Sequence, residues 1–294
     1  MKLSVLIPVY NYRCYALVAD LHEQLERCGV GYEILVADDG SRDRVCIISN
    51  LRINELSHCQ YILRERNVGR AGNLNWLIAN SSGEWKLVVD CDARVTRRDF
   101  VDRYLEFTSS GYDVLDGDLV NPPELPSERV TLRYRYEKCA EKWRSAEERN
   151  RDPYSRFCTF NVMFRASVLD AVPFDERCRE YGYEDTLMGI ELGRRGFRLL
   201  HIDNPLMHLG FEPNDVYLGK VETSLRTLHG IRDSLHGQTR MTRLYDRLQG
   251  RHLLWLVRLA FRLSGPLLRR NLLGRCPDMT LLAFYKLGYY ACLN

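Results

Sequence analysis

Three short runs of apolar residues, each closing on a polar loop, constrain this chain more than any other feature. Residues 3–9 (LSVLIPV), 32–37 (YEILVA) and 85–89 (WKLVV) are apolar at nearly every position rather than at alternate ones. A strand of that kind is covered on both faces, as in a parallel sheet layered between helices. Helical spacing fills the gaps. Leu17, Leu21 and Leu25 share one side of residues 14–28, and Gly29 stops them. Helices are expected over 44–56 and 73–80, with a short strand near 60–64. Alternation at this spacing predicts a doubly wound α/β sheet, in which ligands sit outside the carboxyl ends of the strands. The loops holding Tyr10-Asn11, Asp38-Asp39 and Asp90 to Asp92 all fall there.

Beyond the proline-rich stretch 121–128, a charged helix is predicted to about 150, a strand over 157–165, a helix over 184–195, a last strand over 197–202, and helices from about 213 onward. The 294 residues suffice for one large α/β domain, residues 1–220, and a smaller helical region, 221–294. Charge divides at the same place. The last segment holds twelve Lys and Arg against four Asp and Glu, a net +8, whereas residues 1–220 carry −5. Ten cysteines fall singly, without CxxC pairs or zinc-ligand spacing, which predicts reduced thiols. The first apolar run stops too early for a signal peptide, and no run reaches the roughly 18–20 residues of a spanning helix. A cytoplasmic protein is expected, peripheral on the inner face of the membrane if its tail meets lipid.

The acidic loops carry the chemistry. Two carboxylates at the end of a buried strand, Asp90 and Asp92, have a desolvation cost that a cation or strong donors would offset. A divalent ion there would neutralise a departing nucleotide diphosphate. Equally, Asp92 could cap a helix beginning near Thr96. Asp38-Asp39-Gly40-Ser41 is ordinary turn chemistry, yet a carboxylate so placed can also accept from a nucleobase imide or a ribose hydroxyl.

These motifs, Val5-Leu6-Ile7-Pro8-Val9-Tyr10-Asn11, Asp38-Asp39-Gly40-Ser41, Asn67-x-Gly69, Asp90-x-Asp92 and Gly182-Tyr183-Glu184-Asp185, occur in this order over residues 3 to about 210. The set resembles family 2 glycosyltransferases with the GT-A fold. The resemblance implies inverting transfer of a sugar from a nucleotide-sugar donor, with uridine favoured, to a glycan or lipid-linked glycan. It implies a donor site from Pro8, Val9, Tyr10, Asn11, Asp38, Asp39, Asn67, Gly69, Asp90 and Cys91, and a divalent Mn²⁺ or Mg²⁺ on Asp92 and His208. Asp185 matches the catalytic base, and its position at a helix start suits a negative charge; a cap would suit it as well. Glu184, Asn161 and Arg156, together with Thr159 and Arg133 to Tyr136, match the acceptor side. Many relatives carry an Arg-Asn pair where this chain has Leu74-Asn75; Asn75 is kept as a donor residue, and Arg70 becomes the candidate phosphate contact.

Residues 252–270 (HLLWLVRLAFRLSGPLLRR) mix large apolar side chains with arginines, and Pro266 is expected to break the helix. This composition suits a membrane surface, or equally a helix pair packed on another protein surface. Two other readings of the chain stay open: a transferase-like subunit that binds without catalysis, and a nucleotidyltransferase, although Tyr10-Asn11-Tyr12 is not the Gly-rich basic loop the latter needs. Nucleic-acid binding by the tail is not expected, because apolar residues set its spacing.

Overall fold

The computed structural model describes residues 2–178, 181–235, 237 and 239–293. In chain order the first half runs β1 (Lys2–Val9), α1 (Tyr15–Cys28), β2 (Gly31–Asp38), α2 (Arg44–Leu51), β3 (Cys59–Leu63), α3 (Arg70–Ala79), β4 (Trp85–Val89), β5 (Ala93–Arg94), α4 (Phe100–Glu106), β6 (Val114–Asp116) and β7 (Leu119–Val120). There follow α5 (Thr131–Ala140), α6 (Ala146–Asn150), β8 (Asn161–Arg165), α7 (Ala166–Ala171), α8 (Glu184–Arg194), β9 (Leu199–His201), β10 (Leu206–His208), α9 (Asn214–Gly230), α10 (Arg240–Gly250), α11 (Leu254–Leu272) and α12 (Met279–Ala291).

Seven strands form one sheet in the order β3-β2-β1-β4-β8-β6-β9. The first four are parallel, while β8 runs antiparallel to both β4 and β6. The pleat of β1 explains its unbroken apolar run. Leu3, Val5, Ile7 and Val9 face one core with Leu17, Leu21 and Leu25 of α1, and Leu6 faces the other with Leu74, Leu77 and Leu192. A second, three-stranded sheet, β5-β10-β7, pairs His208 with Ala93.

Two compact units result. The first comprises 1–120, 143–179 and 184–210; the second comprises 121–142, 180–183 and 211–294. The second therefore draws on α5 as well as on the chain's end. Within it α11 packs on α12, where Gly288 admits the Phe261 ring and Arg258 Nε donates to Ala291 O at 2.7 Å. All ten cysteines of the chain are free thiols. No helix among the described residues is long and apolar enough to cross a membrane.

Several expectations need correction. Helix α3 begins at Arg70, three residues before the expected start, because Gly69 at φ 86° turns the chain into it. The helix expected near Thr96 begins instead at Phe100 with Asp99 at its cap position, so Asp92 caps nothing there. Strand β9 is not the last, since β10 follows it. Pro266 lies inside α11 rather than ending it. Proline removes one backbone donor, and apolar packing of Leu254, Leu268 and Leu272 on either side of it holds the helix together.

Gly83, just before β4, touches β1 so closely that an added Cβ would lie 2.5 Å from Ser4 N and 2.7 Å from Trp85 O. Backbone on both sides leaves nothing free to give way. Gly83→Ala is expected to destabilise the protein by about 3 kcal/mol, read as a lower urea midpoint at unchanged slope; an unchanged midpoint would show the contact to be relaxed.

Candidate active site

The carboxyl ends of β1, β2 and β4 bring the acidic loops together in the first unit. Asn11, in a left-handed conformation at φ 48°, joins two of them: its N–H donates to Ser41 Oγ at 2.6 Å, and its Oδ1 accepts from Arg42 N and Asp43 N at 2.9 and 3.1 Å. Pro8 and Val9 are buried at the strand end, and Val9 O accepts from Asp39 N. Tyr10 is exposed beside them. Asp39 accepts from Val68 N at 3.0 Å and Gly69 N at 2.9 Å, tying the second loop to the start of α3, while Asn67 Oδ1 also accepts from Gly69 N. Asp38 is different from the expected donor residue. It is fully buried, with one oxygen accepting from Ser41 N and the other from Tyr61 OH, so its carboxylate is a bracket inside the fold.

Arg70 occupies the centre. As the first residue of α3 it sends its guanidinium to Asp90 Oδ1, at 2.6 Å from Nη2 and 3.2 Å from Nε. Nη2 also donates to Thr159 O at 3.2 Å, and Nη1 lies 3.6 Å from Glu184 Oε1. The antiparallel pairing of β4 with β8 sets up this meeting, since Asp90 N donates to Phe160 O at 3.0 Å and so places Thr159 beside the strand end. Thr159 then reaches the other way, and its hydroxyl donates to Asp185 Oδ1. Asp90, Arg70, Thr159, Glu184 and Asp185 thus form one connected group. In it Arg70 is occupied by carboxylates, not turned outward as a phosphate contact.

Burial dominates the electrostatics. It pushes the Asp90 carboxyl up to about 6, against the pull of Arg70 and with Asp92 adding to the rise. Glu184 is pushed up to about 7, by burial first and the Asp185 charge second, with Arg70 opposing. Its Oε2 has no hydrogen-bond partner among the described residues. The Cys91 thiol, between the two aspartates, is raised by burial and by Asp92, so it is a neutral group lining the strand end.

Asp92 and His208 meet because β5 and β10 pair. His208 is buried edge-on to the Phe160 ring, and its Nε2 lies 3.3 Å from Asp92 Oδ2. Leu209 N donates to Asp92 O at 2.8 Å, and Gly210 leaves the space that the Asp92 carboxylate fills. Among the described residues no group of three His, Cys, Asp or Glu side chains converges as a metal site.

Other expected residues lie elsewhere. Asn75 clamps the 174–176 loop, donating to Phe174 O and Glu176 Oε1 and accepting from Phe174 N at 2.9 Å, and none of these contacts joins it to the Asp90–Arg70 group. Asn161 is fully buried; its amide donates to Asp118 O and Asn204 O and its Oδ1 accepts from Tyr104 OH, which makes it a core brace and not an acceptor contact. Arg133 is held by Glu137 and Glu212 at 2.9 and 2.8 Å, and Tyr134 OH donates to Pro122 O, both within the helical unit. Arg156 sits half-buried in the 154–156 turn ahead of Thr159.

One feature had no signal in the sequence. Asp116, at the end of β6, is buried with Arg149 Nη1 at 3.3 Å and His201 Nδ1 at 3.2 Å, and it accepts from Cys158 N at 3.1 Å. Asp118, paired with Arg144, adjoins it. This ionic cluster fixes the 158–159 segment that carries Thr159.

The glycosyl transferase family 2 model matches residues 4–172, more than half of the chain, and the chain belongs to that family. An undecaprenyl-phosphate 4-deoxy-4-formamido-L-arabinose transferase from Pectobacterium atrosepticum is 29% identical over 118 residues, covering 39% of this chain and 36% of that protein. The chain thus matches little more than a third of the length of its curated relatives. Among solved structures, the mannosyltransferase PcManGT from Pyrobaculum calidifontis, in complex with GDP-Man and Mn²⁺, superposes with a TM-score of 0.56 at 14% identity, over 98% of this chain and 84% of that one. Glucosyl-3-phosphoglycerate synthase from Mycobacterium tuberculosis, with Mn²⁺, UDP and glucosyl-3-phosphoglycerate, gives 0.52 at 20% identity over 77% and 78%. The fold is therefore the expected GT-A type, a mixed α/β sheet with C-terminal helices.

Glu184 makes stability depend on pH. Its folded carboxyl holds a proton up to about 7, whereas an unfolded one releases it near 4.3. The folded state is thus favoured while Glu184 is protonated, and that contribution fades as pH rises through this window. Glu184→Gln is expected to be more stable than the native chain at pH 8, by on the order of 2 kcal/mol, with the gap closing below pH 5. Denaturation curves at the two pH values test this; a constant gap would show that Glu184 is ionised throughout.

Proposed function

We propose that this chain transfers a sugar from a nucleotide-sugar donor, uridine favoured, to a glycan or lipid-linked glycan, inverting the anomeric centre. The observation that carries the reading is the Thr159 hydroxyl held on Asp185 Oδ1, in the same connected group as Asp90. With that oxygen occupied, Asp185 Oδ2 is the one that takes the acceptor proton. The acceptor oxygen bonds to the anomeric carbon as the bond from that carbon to the diphosphate oxygen breaks, and the nucleoside diphosphate departs. Inversion follows from this single displacement. Asp39 and the strand-end segment Pro8 to Asn11 are assigned to the nucleoside, with Asn67, Gly69 and Cys91 beside it, and Glu184 and Arg156 to the acceptor. The catalytic role is placed in residues 1–220, and the basic helices of 221–294 are assigned to docking.

A divalent Mn²⁺ or Mg²⁺ suits the Asp92–His208 pair. One carboxylate and one imidazole, 3.3 Å apart and backed by Gly210, would offer it oxygen and nitrogen ligands. Such an ion supplies charge stabilisation for the leaving diphosphate. The named contents of the neighbouring structures, Mn²⁺ with UDP or GDP-Man, support this choice of ligands.

Binding and turnover across a panel of nucleotide sugars, with and without Mn²⁺, test the proposal. Asp185→Asn is expected to bind donor but lose about 10³-fold in kcat, and Asp92→Ala to lose the metal-dependent part of donor binding. Failure of every nucleotide sugar to bind would leave a transferase-like subunit without catalysis. Thr159 is a positioning residue in this scheme. Thr159→Val should lower kcat about tenfold at unchanged KM, and Thr159→Ser should restore it; equal losses in both would reduce Thr159 to a packing role.

A further inference from the structure

Helix α11 is apolar on its outer side as well as its inner one. Taking about 100° per residue, its buried side carries Leu254, Phe261, Leu268 and Leu272, with Phe261 set edge-on to Tyr285 of α12 at 5.3 Å. On a helix resting on a water-soluble unit the opposite side is polar. Here it is not. Trp255, Leu256, Leu259, Leu263 and Leu267 all point outward, and Trp255, Leu263 and Leu267 are 61%, 74% and 69% exposed. They sweep a single arc of roughly 120°, in which the only charged residue is Arg270, with Arg262 at its edge. A continuous exposed apolar strip of this size marks a contact surface.

The charge identifies the occupant. Between Asp246 and Asp278 the sequence has seven arginines and no Asp, Glu or Lys. A second copy of the chain docked on this face would set Arg262 and Arg270 against the same arginines with no carboxylate between them. An anionic lipid surface has the opposite property. Its acyl region takes the leucines and Trp255, its headgroups take the guanidinium ions, and the arginine stems lie along the boundary. We propose that the outward face of α11, Trp255 to Arg270, lies in the surface of an anionic membrane. This goes beyond the transfer reaction and stands or falls separately from it.

Co-sedimentation of the full chain with vesicles of phosphatidylcholine, alone or mixed with phosphatidylglycerol, tests it. Binding is expected on the mixed vesicles, with brominated lipid quenching tryptophan emission in the native chain and much less in Trp255→Phe. Leu259→Glu combined with Leu263→Glu should reduce binding tenfold or more, while Arg262→Glu combined with Arg270→Glu should abolish the preference for phosphatidylglycerol. These residues are exposed, so an unchanged thermal melt confirms that the variants fold. Absence of binding to either vesicle overturns the proposal, as does full binding by the leucine variant. A dimer seen by light scattering that the leucine variant dissociates, without vesicle binding, overturns it in favour of a second copy.

Discussion

The placement of Arg70 is the interaction on which the site depends. Carboxylates gathered at the ends of buried strands repel one another and resist desolvation, and only a compensating cation makes their assembly tolerable. A planar guanidinium can face several partners at once. Arg70 meets Asp90 from β4, Glu184 from α8 and the carbonyl of Thr159. Three elements far apart in the chain are thereby registered at one point, and Thr159 extends the connection to Asp185. The compensation is incomplete, since Asp90 and Glu184 both keep carboxyls raised above their ordinary range. Burial that Arg70 only partly offsets is what raises them.

The frame behind it is arranged for the same end. Antiparallel insertion of β8 beside β4 brings the 158–161 segment to the end of the Asp90 strand, and the small sheet carries His208 to Asp92. Beneath them, Asp116, Arg149 and His201 form a fully enclosed ionic cluster whose carboxylate also holds Cys158 N. Buried ion pairs contribute little net stability, but losing one partner strands the other charge. Such a cluster resists displacement, which suits a segment that must present Thr159 in one position.

Much of the fold was legible because burial on both faces writes unbroken apolar runs, and 3.6-residue spacing writes helices. The strands β1, β2 and β4 and the helix α1 follow these patterns closely. Asp90 and Asp92 stood out as candidates because charged side chains at the end of a buried strand need a reason to be there, and Glu184 and Asp185 stood out only through the ordered motifs; the structure joins Asp90, Glu184 and Asp185 through Arg70 and Thr159. Residue type misled where the same polar groups serve as internal brackets. Asp38, Asn75 and Asn161 look like ligand contacts in sequence, yet each satisfies backbone or side-chain partners within the fold. Which use prevails depends on neighbours that arrive from distant segments. Pro266 misled for a related reason, since local propensity favours a break and packing of the flanking turns overrides it.

By itself the sequence determined the layered α/β architecture, the order of the acidic loops and the basic, apolar character of the tail, because these follow from local spacing and composition. Tertiary structure alone decided that Arg70 turns inward to Asp90 and Glu184, that Thr159 holds Asp185, and that the leucines of α11 face outward. Each of these is a long-range contact or its absence. Periodicity states that a helix has two faces, but only the packed neighbours determine which face is left to the solvent.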